Sequence, residues 1–286
     1  MKKRILATLL TGVMALSMLA GCGSSAEETA AESADAQATA EATDEDKTIT
    51  VGASITPHAE ILNDVVKGLL EEEGWTLEVV EYNDYVLPNT ALEDGDLDAN
   101  FFQHYPYLEN FNEENGTHIV SAAAVHFEPM AIYAGKTASL DELADGAIVA
   151  VPNDTTNEAR ALLLLEAQGL ITLDEEAGVT ATVLDIVDNP LNLQIQELEA
   201  AQIPQAIGDV DIAVINGNYA VEAGLTEFIA QEASDSLAAE TYANIIAVRE
   251  GEENSEKIQA LVNAVLSDEV RDYINNTYEG AVVPVF

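Results

Sequence analysis

The sequence is short of cations. Ten Lys and Arg stand against 52 Asp and Glu in 286 residues, a formal charge of −42. Such a chain does not bind nucleic acid through its overall field, because neutralising phosphates takes clustered Lys and Arg. The excess acid keeps it soluble and repels anionic lipid heads. An anionic ligand can then be held only by local donors. Cysteine is nearly absent too: Cys22 stands alone, so no internal disulfide forms. The first strand-like stretch runs into Gly52-Ala53-Ser54-Ile55-Thr56-Pro57, which lacks the glycine spacing of a nucleotide fingerprint. His58, His104, His118 and His126 form no His-x-x-x-His or His-Glu-x-x-His pair. A metal site assembled from several loops stays open, since acids abound. There is no Gly-x-Ser-x-Gly elbow, and no nucleophile–base pair can be assembled. At this composition paired acids carry no weight as glycosidase candidates. These absences favour a binding protein over an enzyme.

What is present begins at the amino terminus. Lys2, Lys3 and Arg4 precede an apolar run from Ile5 to Ala20. A basic start and an apolar run too short for a permanent span make residues 1–21 a secretory signal. It ends in Leu19-Ala20-Gly21-Cys22, which resembles the bacterial lipobox, where the Cys is lipidated and becomes the first mature residue. A terminus with two or more acyl chains is a stable anchor, at ~0.8 kcal/mol per buried CH₂. Removing residues 1–21 takes away three of the ten cations and no acid, so the formal charge moves from −42 to −45. Residues 23–47 hold no large apolar side chain. Cys22 and this stretch, 22–47, read as a lipidated, disordered acidic tether with a reach of roughly 25–30 Å.

The rest reads as α/β. Thr48 to Ala53 alternates like a strand. Thr56-Pro57 is an N-cap with Pro at the first helical position, and Ile61, Leu62, Val65, Val66, Leu69 and Leu70 follow at helical spacing. Leu77 to Val80 is a second strand, completing a βαβ opening. Asp98 to Gln103 leads into His104-Tyr105-Pro106-Tyr107, so four aromatics and a His fall within seven residues at a strand end. Strand ends of open α/β sheets are where ligands bind; core packing under a loop is the alternative. Val120 to Ala134 is apolar and strand-like, and Gly135-Lys136-Thr137 breaks it, which suggests a first crossing between lobes there. Val210 to Ile215 is a buried strand ending at Asn216-Gly217-Asn218-Tyr219. Asn there either binds a ligand or caps the next helix.

The central stretch is Val151 to Leu165, V-P-N-D-T-T-N-E-A-R-A-L-L-L-L. Pro152 stops a strand. Thr155 and Glu158 have capping-box spacing, which makes Thr155 the expected N-cap. The helix start presents backbone N–H groups and the positive end of the dipole, with Arg160 about one turn later. Two readings stand: a pocket for a small carboxylate, or a capped helix whose Arg pairs with a surface acid.

Several of these segments carry a resemblance. Y-N-D-Y-V-L-P-N-T-A-L from Tyr82, D-A-N-F-F-Q-H-Y-P-Y-L from Asp98, Val151 to Leu165, D-I-V-D-N-P from Asp185, A-V-I-N-G-N-Y-A from Ala213, and Tyr242-Ala243-Asn244 resemble the methionine-binding lipoproteins of bacterial ABC importers in content, order and spacing. The resemblance covers residues 48 to 286. It implies a two-lobed periplasmic-binding-protein-like fold of type II, each lobe a mixed sheet flanked by helices, joined by two crossings. Residues 48–134 plus 243–286 would form lobe 1 and 135–242 lobe 2. It implies a lipid-anchored extracytoplasmic receptor, expected to act as a monomer, that delivers methionine to a permease with a cytoplasmic ATPase. No catalysis, cofactor or metal is implied. Arg160 would grip the ligand carboxylate. Asn157 and Asn216 would bind the head group. Tyr85, Phe102, His104, Tyr107 and His126 would surround the thioether. The family more often has Gly where Ala159 stands. Another small amino acid, a Met-containing dipeptide, or a metal held by the scattered histidines are the competing ligands.

Overall fold

The structure is a computed structural model that describes residues 47–233 and 237–286. The signal segment, Cys22 and the tether up to residue 46 lie outside the described residues. Strand β1 (Thr48–Ser54) leads through helical turns at Ile55–Ala59 and Leu62–Val66 into α1 (Lys67–Glu72) and β2 (Thr76–Tyr82). Thr56 keeps extended backbone angles (φ −124°, ψ 136°), and the helical path starts at Pro57. Then come α2 (Leu87–Asp94), β3 (Ala99–His104), α3 (Tyr105–Asn115) and β4 (Ile119–Phe127). The chain continues with β5 (Ala131–Ala134), β6 (Ile148–Pro152), α4 (Thr155–Ala167), β7 (Thr172–Leu173), β8 (Ile186–Asp188) and β9 (Gln194–Leu198). It closes with α5 (Ile203–Ala206), β10 (Ile212–Ile215), α6 (Gly217–Glu222), β11 (Ala230–Gln231), α7 (Leu237–Thr241), β12 (Asn244–Arg249), α8 (Glu256–Val265), α9 (Asp268–Tyr278) and β13 (Val283–Pro284).

Two mixed sheets result. The first has the order β13-β4-β12-β3-β1-β2 and the second β11-β5-β10-β6-β9. β1 pairs in parallel with β2 and β3, and β12 runs antiparallel between β3 and β4. In the second sheet β6 is parallel to both β9 and β10. Period-two alternation sets the packing. On β5 and β10, Ile132, Ile212 and Val214 face one core, while Ala131, Tyr133, Ala213 and Ile215 face another. On β3, Phe101 joins the core of the first lobe and Phe102 joins Tyr107 and Phe111. No helix among the described residues is long and apolar enough to cross a membrane.

The first crossing lies earlier than the sequence reading placed it. β4 belongs to the first sheet and β5 to the second, so the chain crosses at Glu128-Pro129-Met130, not at residues 134–135. Pro129 has no N–H for a ladder and ends pairing inside an otherwise apolar run. Gly135, read as the break, sits inside the second lobe with its N–H on Asp211 O. A Cβ there would collide with the carbonyl oxygens of Val210 and Ile207, so close backbone approach explains this glycine. The second crossing runs from β11 back to β12. Glu232 opens it and is bonded to the first crossing: Glu232 N–H donates to Met130 O at 3.0 Å, and Met130 N–H donates to Glu232 Oε2 at 2.9 Å.

Candidate functional site

A cleft opens between the lobes, its atom-free space of about 330 Å³ including part of the solvent at its mouth. β3 and α3 of the first lobe supply Phe102, His104 and Tyr107, and the loop after β2 supplies Tyr85. α4 supplies Asn157 and Arg160, the end of β10 supplies Asn216, and the first crossing supplies Glu128. Gln103, Gly217, Asn218 and Asn244 complete the lining. Seven of the eight ligand residues expected from the sequence line this one cleft. His126 does not: it is fully buried behind Glu128.

One end of the cleft is aromatic. Tyr85 lies 5.8 Å from both Phe102 and Tyr107, and Phe102 lies 6.0 Å from Tyr107, ring centre to ring centre. These are edge and tilted contacts of the kind ring quadrupoles prefer. Tyr107 Oη donates to Tyr85 O at 2.9 Å. Tyr85 Oη donates across the cleft to Asn218 Oδ1 at 2.6 Å.

The other end is polar. The N-cap of α4 is Asp154, whose Oδ1 accepts Asn157 N–H at 3.0 Å. The expected cap, Thr155, is displaced because the neighbouring carboxylate is a charged acceptor. Glu158, its expected capping-box partner, accepts Val183 N–H instead. Asn157 is committed within the protein. Its Oδ1 meets His104 Nε2 at 3.2 Å and accepts Asn216 Nδ2 at 2.7 Å, and its Nδ2 donates to Asp154. It therefore ties the lobes together more than it reaches for a ligand. His104 caps α3 by accepting Tyr107 N–H at Nδ1, so its hydrogen sits on Nε2 and is donated to Asn157.

Arg160 is paired with an acid within the protein. It is 4% exposed, and its partner is Glu232, a half-buried acid whose side chain is 10% exposed. Nε lies 3.0 Å from Glu232 Oε1, and Nη2 lies 2.7 Å from Oε2 and 2.8 Å from Glu128 O. The guanidinium stacks 4.4 Å over the Tyr242 ring. Nη1 has no hydrogen bond to any described residue and is the nitrogen left for a ligand. Two other polar atoms of the lining are buried and unpartnered among the described residues: Asn216 Oδ1 and Asn218 Nδ2. An orphaned acceptor and an orphaned donor beside an available guanidinium nitrogen mark a place built for a polar ligand.

Glu128, His58 and Glu232 escaped the sequence reading. Their only local signal was an acid beside a proline in an apolar run, and an isolated His. Burial pushes the Glu128 carboxyl above its ordinary range, while His58, Arg160 and the Asn218 backbone amide pull it back. His58, His126 and Glu128 are of metal-ligating type, and their ligand atoms lie within 4.8 Å of one another. The geometry is that of hydrogen bonds. His126 Nε2 is 2.7 Å from Glu128 Oε1, whereas two ligands on a tetrahedral ion with bonds near 2.0 Å sit roughly 3.3 Å apart. His58 and His126 are fully buried behind Glu128, which itself lines the cleft.

Burial lowers His58 to about 4, and His104 and His126 to about 3. Arg160 adds to the depression at His104. The folded rings stay neutral, while unfolded rings protonate near pH 6.5. Their contribution to stability is thus full above pH 6.5 and is lost as pH falls toward 4, by up to about 1.4 kcal/mol per pH unit for each ring. The raised carboxyls of Glu128 and Asp154 act in the opposite sense. Scanning calorimetry of His104→Gln between pH 7 and 5 is expected to show a flatter Tm profile than the unsubstituted chain. An equal slope would mean that the ring carries its proton in the fold.

Two α/β lobes on two crossings, closed on a lined cleft, define a periplasmic-binding-protein-like fold. The chain belongs to the NlpA lipoprotein family, whose model matches residues 49–286. It is 42% identical to the methionine-binding lipoprotein MetQ of Bacillus subtilis, over 100% of this chain and 99% of that one. A crystal structure of a lipoprotein from Ruminococcus gnavus superposes with TM-score 0.83 at 58% identity, covering 84% of this chain and all of the other. A nutrient-binding protein from Burkholderia cenocepacia, solved bound to methionine, gives TM-score 0.79 at 46% identity, covering 83% and 100%.

Proposed function

We propose that the chain captures methionine in the interlobe cleft and delivers it to an ABC permease driven by a cytoplasmic ATPase. Lipid on Cys22 holds it at the extracytoplasmic face of the cell membrane, and the chain itself catalyses nothing. The observation that carries this reading is one cleft that sets an available guanidinium nitrogen and a buried carboxylate beside three aromatic rings. A free amino acid is a zwitterion, and it needs both charges met at once. Arg160 Nη1 takes the ligand carboxylate, with Asn218 Nδ2 as a second donor. Glu128 and Asn216 Oδ1 take the ammonium. Tyr85, Phe102 and Tyr107 enclose the thioether, since sulfur packs well against ring edges. The methionine in the B. cenocepacia structure and the name of the B. subtilis relative support the same ligand here.

Mass spectrometry of the small molecule released from purified protein on unfolding is expected to find methionine. Calorimetry of the stripped, refolded chain is expected to show one site per chain for methionine, far tighter than for alanine or for Zn²⁺. Heat on adding Zn²⁺ or a different amino acid, with none on adding methionine, would remove this reading.

A further inference from the structure

Glu128 is the one lining residue whose carboxylate is held from behind. His58 and His126 come from different elements, the turn after β1 and the end of β4, and their rings lie 4.9 Å apart. Both pack edge-on against Phe101, at 4.6 and 5.2 Å. In each ring Nε2 faces acceptor oxygens, and His126 Nδ1 has no partner among the described residues, so the hydrogen belongs on Nε2. His126 Nε2 reaches Glu128 Oε1 at 2.7 Å. His58 Nε2 is shared between Asn244 Oδ1 at 3.2 Å and the same Glu128 Oε1 at 3.4 Å. The other oxygen, Oε2, lies on the Gly217 side, where a Cβ on residue 217 would come within 3.2 Å of it. Gly217 itself lines the cleft.

We infer that His126 and His58 are positioning residues: they cap Glu128 Oε1 and leave Oε2 to the ligand's ammonium, so that a free α-amino group strengthens binding. The inference rests on the amino-acid reading of the cleft and adds to it the basis of selectivity. Neutral rings are essential to the device. They donate hydrogen bonds without cancelling the carboxylate charge, so the attraction for an ammonium is kept. A protonated ring in the same place would neutralise Glu128 and spend that attraction inside the protein. Burial, which disfavours the charged rings, works in the same direction.

The test uses the full chain and two ligands, methionine and its deaminated analogue 4-(methylthio)butanoate. His126→Leu is expected to lower methionine affinity about 10- to 100-fold, the range of one charge-assisted hydrogen bond. Affinity for the analogue is expected to change by less than about threefold on the same scale. His126→Gln, whose amide also reaches Oε1, restores most of the loss. An equal loss for both ligands, or none for either, overturns the inference. A second measurement stands without any substitution. ¹⁵N NMR of the histidine rings at pH 7 is expected to report His58 and His126 as neutral Nε2–H tautomers; Nδ1–H or cationic rings overturn it. If the unsubstituted chain binds neither compound, the methionine reading falls, and the tautomers still decide this point separately.

Discussion

Arg160→Ala is expected to lower methionine affinity by about 100-fold or more and to destabilise the fold in the same step. Each charge-assisted bond to the ligand carboxylate is worth about 1.5–3 kcal/mol, and about 1.4 kcal/mol is tenfold. The stability loss has a different source. Glu232 is a tenth exposed and holds Arg160 through Nε and Nη2. Removing the guanidinium leaves that largely covered carboxylate without its counter-ion, with only the Met130 N–H still on it, which costs up to about 3 kcal/mol. A double variant separates the two effects. In Arg160→Ala/Glu232→Gln the amide oxygen still accepts Met130 N–H, while the stranded charge is gone. Urea unfolding is expected to recover about half of the lost stability, and calorimetry is expected to find methionine affinity as low as in the single variant. Unchanged affinity in Arg160→Ala would take this residue out of the site. A double variant no more stable than the single one would mean that Glu232 is not its counter-ion.

The second large effect falls on two neighbours. Phe101→Ala is expected to cost about 3–5 kcal/mol of stability, as for other buried aromatics cut to Ala. Phe102→Ala is expected to cost less, and to weaken methionine more than it weakens alanine, by about tenfold or more at about 1.4 kcal/mol per decade. The residues are adjacent on β3, and strand geometry sends them to opposite faces. Phe101 is fully buried against the first-lobe core, while Phe102 packs with Tyr85 and Tyr107 at the aromatic end of the cleft. Unfolding and ligand titrations on both variants check this. A stable Phe101→Ala, or a Phe102→Ala that loses methionine and alanine equally, would contradict the assignment of faces.

Much of this was readable along the chain, for reasons that differ by residue. Phe102, His104 and Tyr107 stood out because they cluster at a strand end, and the α/β alternation tells where strand ends point. Asn216 was visible for the same reason. Glu128, His58 and Glu232 were not. Their meaning lies in contacts 32, 72 and 186 positions apart in sequence, Arg160 to Glu128, Arg160 to Glu232 and His58 to Asn244. No local period encodes such pairings. His126 was placed in the cleft on motif alone; strand direction turns its ring inward, one layer behind the residue that faces the ligand. The cap of α4 shifted by one residue because Asp154 and Thr155 can both serve, and only the fold decides which side chain is aimed at Asn157 N–H.

The two strands of chain that join the lobes are laced together, Met130 to Glu232, and both are fastened to the same guanidinium. The side chain that pins this joint is also the one proposed to meet the ligand carboxylate. Under the proposed function, filling the cleft and stiffening this joint go together.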